Sequence, residues 1–232
     1  MQRAVDYERK VTSLIKGGAH VNTQNYKRNG VLHYKRGNGR RGNKALEFLL
    51  SIGADSNMPH YEGNTVLHCL AADSASFSKE SDIYIIQKLL DAGVSPTQAN
   101  FKGQIPLYLL CRHVVQYMFL PTVAGDKRAI DLVLDTGLIE ALEIGDHDGI
   151  RPIRLSASCS ETLVVRLIDL GADTTAVTGD GRNLLHIAST ARQVNIVGLL
   201  REHYTSINQL SFMNKLCKNG RTPLHDACRS GR

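Results

Sequence analysis

Apolar residues recur along this chain with the spacing of one helix face, in short runs. "KALEFLLSIGA" (44–54), "IYIIQKLLDAG" (83–93), "AIDLVLDTG" (129–137), "TLVVRLIDLGA" (162–172) and "NIVGLLREH" (195–203) each set apolar side chains three and four apart. Each run predicts an amphipathic helix of two or three turns. Gly18, Gly53, Gly93 and Gly171 follow such runs. A residue at positive φ commonly ends a helix there, and glycine adopts it most easily.

Two polar phrases alternate with the helices. The first is seen in "GNTVLHCLA" (63–71), "GQIPLYLLC" (103–111), "GIRPIRLSA" (149–157), "GRNLLHIAS" (181–189) and "GRTPLHDAC" (220–228). The second is seen in "GAHVNTQNYKR" (18–28), "GADSNMPHYEG" (53–63), "GVSPTQANFKG" (93–103) and "GADTTAVTGDG" (171–181). In the first phrase Thr222 suits an N-cap and Pro223 the first helical position, where its missing N–H is not needed. Leu224 is expected to pack inward, and Ala71, Ala188 and Ala227 to let neighbouring helices approach. These phrases resemble the ankyrin repeat, with its T-P-L-H-x-A stretch, second helix ending near G-A-D and β-turn finger ending in D-G. The resemblance covers essentially the whole chain and is nearest to consensus in "NGRTPLHDACRSGR". It implies an all-α solenoid of stacked helix-turn-helix units with short β-turn fingers. No unit buries its apolar face alone, so neighbours must stack.

The leucine of the first phrase falls at Leu32, Leu67, Leu107, Ile153, Leu185 and Leu224, at unequal spacings of 35, 40, 46, 32 and 39. We read one irregular array over 1–232: a partial repeat 1–27, repeats 28–62, 63–102, 103–148, 149–180 and 181–219, and a partial repeat 220–232. Extra residues are expected near 74–81 and 116–127, in the finger around 139–147 and in the connection 203–219. The chain opens inside a second helix and closes where another should begin, which suggests part of a longer array.

Composition narrows the function. There is no Trp and 6% aromatic residues, so small aliphatics are expected to fill the core. No apolar run is long enough for a membrane span, and the N-terminus lacks a signal-peptide core. Cys69, Cys111, Cys159, Cys217 and Cys228 are odd in number and form no C-x-x-C pair. They read as free thiols in a reducing cytoplasmic or nuclear compartment. Residues 1–50 hold 11 Lys/Arg against 3 Asp/Glu, 51–185 hold 10 against 17, and 186–232 hold 7 against 2. Basic ends flank an acidic middle, which is not the continuous basic face of a dedicated nucleic-acid binder.

"HYKRGNGRRGNK" (33–44) contains Gly37-Asn38-Gly39-Arg40-Arg41-Gly42, which fits G-x-G-x-x-G. A dinucleotide fingerprint needs a buried strand before it, and a P-loop needs G-K-[ST]; neither is present. Leu32-His33 marks the start of a repeat, so residues 34–43 read as a degraded, flexible first helix and its loop. The repeat histidines His33, His68, His186 and His225 read as structural hydrogen-bonding groups at helix starts. Thr65, Pro106 and Pro152 occupy the cap and first-turn positions of the same motif. No catalytic constellation, cofactor site or metal-ligand spacing is found.

One register coincidence stands out. Eight residues beyond the finger-opening glycines lie Tyr26, Tyr61 and Phe101, with Gly179 breaking the series in the fourth. Equal register in a stack means adjacent finger tips. The rings form either an exposed stripe for a partner or packing between fingers. Lys27, Arg28, Lys35, Arg36, Arg40 and Arg41 add basic charge nearby. The resemblance implies a protein-interaction scaffold without intrinsic catalysis, binding on a finger or concave surface. Alternatives are nucleic acid or anionic lipid at the basic N-terminal end, or a role as the recognition part of a larger enzyme or signalling protein.

Overall fold

The computed structural model describes residues 2–34, 40–72, 80–117, 130–136 and 139–231. Among these residues there are helices and turns and no strand. The chain forms two compact units, Met1–Leu110 with Ala124–Thr136 and Cys111–Val123 with Gly137–Arg232.

The first unit holds α1 (Gln2–Lys16), a 3-10 turn at Val31–Tyr34, α2 (Arg40–Ser51), α3 (Val66–Ala71), α4 (Glu80–Asp91) and the start of α5 (Pro106–Tyr117). α2 packs on α1 and α4, and α3 on α4 and the 3-10 turn. Leu46, Leu49, Leu67, Ile85, Ile86, Leu89 and Leu107 are fully buried between them. α1, α2 and α4 end the same way. The Gly53 N–H donates to the Leu50 carbonyl and the Ala54 N–H to that of Leu49, with Gly53 at φ 85°. This two-bond cap satisfies carbonyls the helix leaves open. Gly18 and Gly93 close α1 and α4 identically.

The second unit holds the rest of α5, a 3-10 turn at Ile139–Leu142, α6 (Pro152–Ser156), α7 (Glu161–Asp169), α8 (Leu184–Thr190), α9 (Val194–Ser206), a 3-10 turn at Leu210–Asn214 and α10 (Pro223–Ser230). α7 packs on α6, α9 on α7 and α8, and α10 on α8. The core departs here from the small-aliphatic expectation. Tyr204 is fully buried, its hydroxyl donates to the Thr174 carbonyl at 2.7 Å, and Phe212 stacks on it at 5.2 Å. A satisfied hydroxyl lets the ring serve as core.

Several expectations change. Leu224 lies at the surface, 70% exposed, whereas Leu32, Leu67, Leu107, Ile153 and Leu185 are buried. α10 packs on α8 and on the 3-10 turn at Leu210–Asn214, and its buried residues are Pro223 and Asp226. α2 begins at Arg40, so residues 40–43 are helical, not loop. Lys35 and Arg36 lie outside the described residues, as do most of the insertions near 74–81 and 116–127.

Candidate functional site

The fingers are built by one hydrogen-bond pattern. In the first, the Asn25 N–H donates to the Asn29 carbonyl and the Arg28 N–H to that of Asn25. The same pair of bonds recurs from His60, Asn100, Asp146, Thr178 and Cys217. Each makes a five-residue turn whose fourth residue has positive φ: Arg28, Gly63, Gly103, Gly149, Gly181 and Gly220. The first side chain locks several of these turns. Asn25 Oδ1 accepts from the backbone of Lys27 and Asn29, Asn100 Oδ1 from Lys102 and Gln104, and Asp146 Oδ1 from Asp148 and Ile150.

Tyr26, Tyr61 and Phe101 each occupy the second position of this turn, all in the first unit. The fingers are tied in order: the Tyr61 N–H donates to the Lys27 carbonyl at 3.0 Å and the Phe101 N–H to that of Glu62 at 3.1 Å. The three rings are 106%, 54% and 62% exposed. Their surroundings differ. Tyr61 stacks on His60 at 5.1 Å. Phe101 leans over Gly63, where a Cβ would sit 2.7 Å from its ring Cδ1. Tyr26 is fully exposed. Lys27 and Arg28 share its turn and are exposed. Arg40 and Arg41 open α2, whose first turn carries no acidic residue.

The repeat histidines join fingers to helices. His68 Nδ1 lies 3.2 Å from the backbone nitrogen of Thr65, and its Nε2 lies 2.9 Å from the Gln104 carbonyl of the next finger. A carbonyl only accepts, so Nε2 carries the proton and Nδ1 accepts. His33 bridges Gly30 to Asn64, and His186 bridges Asn183 to Arg221, in the same way. His225 meets Thr222 at the start of α10 and is exposed. Pro106, Pro152 and Pro223 each open a helix. Burial pushes the His68 imidazole down to about 4.

Sequence reasoning missed a second clasp. Asn22 donates through Nδ2 to the Gly53 carbonyl and accepts the Asp55 N–H. Asn57 does the same with Gly93 and Ser95. In the second unit Glu143 accepts the Asp173 N–H, and Arg151 joins both carboxylates. The shared fifth position of "GAHVN" and "GADSN" was the available signal.

Among the described residues no group of three or more His, Cys, Asp and Glu could hold a metal ion, and no helix is long and apolar enough to cross a membrane. What the turns, caps and clasps define is a helical repeat protein. A sequence model of the family described as "Ankyrin repeats (3 copies)" matches residues 153–232. Residues 153–232 are ankyrin repeats, and the finger pattern seen there recurs upstream to Asn25. It is also similar to "Neurogenic locus notch homolog protein 2" of Homo sapiens and of Mus musculus, each 29% identical over 115 residues. That match covers 49% of this chain and 4% of the length of those relatives. Ankyrin repeats generally mediate protein–protein interaction.

Proposed function

We propose that the first unit binds a partner protein through Tyr26, Tyr61 and Phe101, flanked by Lys27, Arg28, Arg40 and Arg41, and performs no chemistry itself. The observation carrying this reading is that three aromatic rings occupy one turn position on hydrogen-bonded neighbouring fingers and stay exposed. A preorganised backbone lowers the ordering cost of binding, and exposed aromatics commonly anchor interfaces. The adjacent cations favour an acidic segment on the partner. None of the five cysteines, all among the described residues, is in a disulfide, which fits a reducing intracellular compartment.

Tyr26→Ala is the cleanest test, since that ring is fully exposed. The variant should keep the wild-type melting temperature and lose roughly 2 kcal/mol or more of partner affinity, the size of a hot-spot truncation. Partners would be captured by pull-down with mass spectrometry, and affinity measured by calorimetry on the leading one. A Tyr26→Ala, Tyr61→Ala, Phe101→Ala triple variant that folds and keeps every partner sinks the proposal. Capture of nucleic acid with a steep salt dependence would instead favour the basic-end alternative.

A further inference from the structure

The second unit contains a basic cavity that the finger-tip reading does not use. Its volume is about 340 Å³, and Arg182, Thr190, Arg221, Asp226, Arg229 and Ser230 line it. Two arginines sit at finger bases, one residue beyond the positive-φ glycines Gly181 and Gly220. α10 supplies the other charged groups, Asp226 and Arg229. The cavity is therefore made by residues up to 48 positions apart that the repeat register brings to one face.

Asp226 is buried, and it is shared. Its Oδ2 lies 3.0 Å from Arg182 Nη2 and its Oδ1 lies 3.1 Å from Arg221 Nε. One carboxylate thus orients two guanidiniums. The Nε–H groups of Arg182 and Arg221 are buried and make no hydrogen bond, although Arg221 Nε is ion-paired with Asp226. Buried charged donors left open are costly unless something fills them. Arg229 adds a third guanidinium to the lining. Thr190 and Ser230 donate their hydroxyl hydrogens to the His186 and Ser189 carbonyls, and Thr190 Oγ1 also accepts from Arg182 Nη2, so neither offers a donor to the cavity and Thr190 helps to hold Arg182. Asp180, at the finger tip, also feels Arg182.

Three guanidiniums against the lining carboxylate leave a charge of +2. A phosphate monoester carries about −1.5 to −2 at neutral pH with three acceptor oxygens, and guanidinium forks match it. A water molecule's share of liquid is about 30 Å³, so the cavity has room for the phosphate and the short carbon stem of its ester. We propose that this cavity is a binding site for a phosphate dianion, with the phosphomonoester of a phosphorylated side chain as the better-fitting source. None of its lining residues belongs to the aromatic finger tips of the first unit.

The test is titration of the full chain at pH 7.5 with sodium phosphate and, separately, N-acetyl-O-phosphoserine amide. Arginine Nε–Hε signals are followed by NMR, with sodium acetate and sodium chloride at matched ionic strength as controls. Arg182, Arg221 and Arg229 should shift saturably with either phosphate probe and with neither control. Phosphoserine amide binding at least threefold tighter than inorganic phosphate places the ligand on a side chain; equal affinity leaves the site to the free anion. Arg229 is exposed, so Arg229→Gln should keep the wild-type melting temperature while weakening both phosphate probes about tenfold, and Arg229→Lys should weaken them less. No saturable shift by 20 mM phosphate, equal shifts with chloride, or unchanged binding in Arg229→Gln would each overturn the proposal.

Discussion

Acid should loosen the first unit through a single imidazole. His68 has no exposed surface, its Nε2–H is given to the Gln104 carbonyl, and its Nδ1 receives the Thr65 N–H. A second proton would have to sit on Nδ1, where a backbone donor already points. Burial disfavours that charge first, and His60 nearby adds repulsion, so the folded group titrates near 4. In the unfolded chain it titrates near about 6.5. The unfolded state therefore binds the proton first. The His68 contribution to stability is complete above about pH 6.5, falls as pH drops, and is gone once pH passes below the folded value. The gap of about 2.5 pKa units, at 1.36 kcal/mol each, corresponds to about 3 kcal/mol, of which most is gone by pH 4.5. The assay is urea unfolding followed by far-UV circular dichroism at pH 7.5 and 4.5, for wild type and His68→Gln. His68→Gln should be less stable at pH 7.5, and the wild type should lose about 2–3 kcal/mol more than the variant on acidification. Other titrating groups, including His60, whose imidazole is also depressed by burial and by His33, cancel largely in that difference. Equal acid losses in the two proteins, or a His68 NMR titration centred near 6.5, would refute the reasoning.

Three further outcomes follow from the turns and the thiols. Gly53 and Gly63 both have positive φ, but only Gly63 would place a Cβ against Phe101, at 2.7 Å from its ring and its backbone nitrogen. Gly53→Ala should cost about 1 kcal/mol in urea unfolding from left-handed strain alone, and Gly63→Ala clearly more. Arg28 at φ 56° stands where the five other fingers have glycine, so Arg28→Gly should leave stability equal or raise it by up to about 1 kcal/mol; a clear fall would show that the arginine stem packs. Burial pushes the Cys111 thiol up to about 12 and the Cys159 thiol to about 11, while Cys228 is exposed. Iodoacetamide at pH 8 should therefore label Cys228 well before either in the native protein, as read by peptide mass spectrometry.

What can be read from the residues alone is set by local backbone demands. Gly18, Gly53, Gly93 and Gly171 end helices because the cap requires a left-handed residue, a requirement visible without knowing the neighbours. The finger register is legible for the same reason, and with it the alignment of Tyr26, Tyr61 and Phe101. The environment of those rings is not, since it depends on what the adjacent finger puts beside each. His60 stacks on Tyr61 and Gly63 lies under Phe101, while Tyr26 stays fully exposed. Likewise the glycines in "KRGNGRRGNK" argue for loop on propensity, yet α2 starts at Arg40 and carries Gly42 in its first turn. Packing of Leu46 and Leu49 further along the helix outweighs roughly 1 kcal/mol of glycine cost.

Contacts between repeats are the least legible, and they carry the specific properties of the molecule. Each clasp uses a side chain from one repeat and a backbone group from the next, as in His68 to Gln104 or Asn57 to Gly93. Such a pair is specified only once the stacking register is known, because each partner looks ordinary in its own segment. The Asp226 cluster is the extreme case. Arg182 and Arg221 occupy the same finger position one repeat apart, and stacking alone brings both within 3.1 Å of one carboxylate on α10. A repeat that supplies an arginine at that position supplies one per layer, so charge accumulates along the stack without any local sequence signal. Equal register sets three exposed aromatics on neighbouring fingers of the first unit and two arginines beside one carboxylate in the second. In a repeat array, groups distant in sequence come together through equal register in successive layers rather than through any contiguous motif.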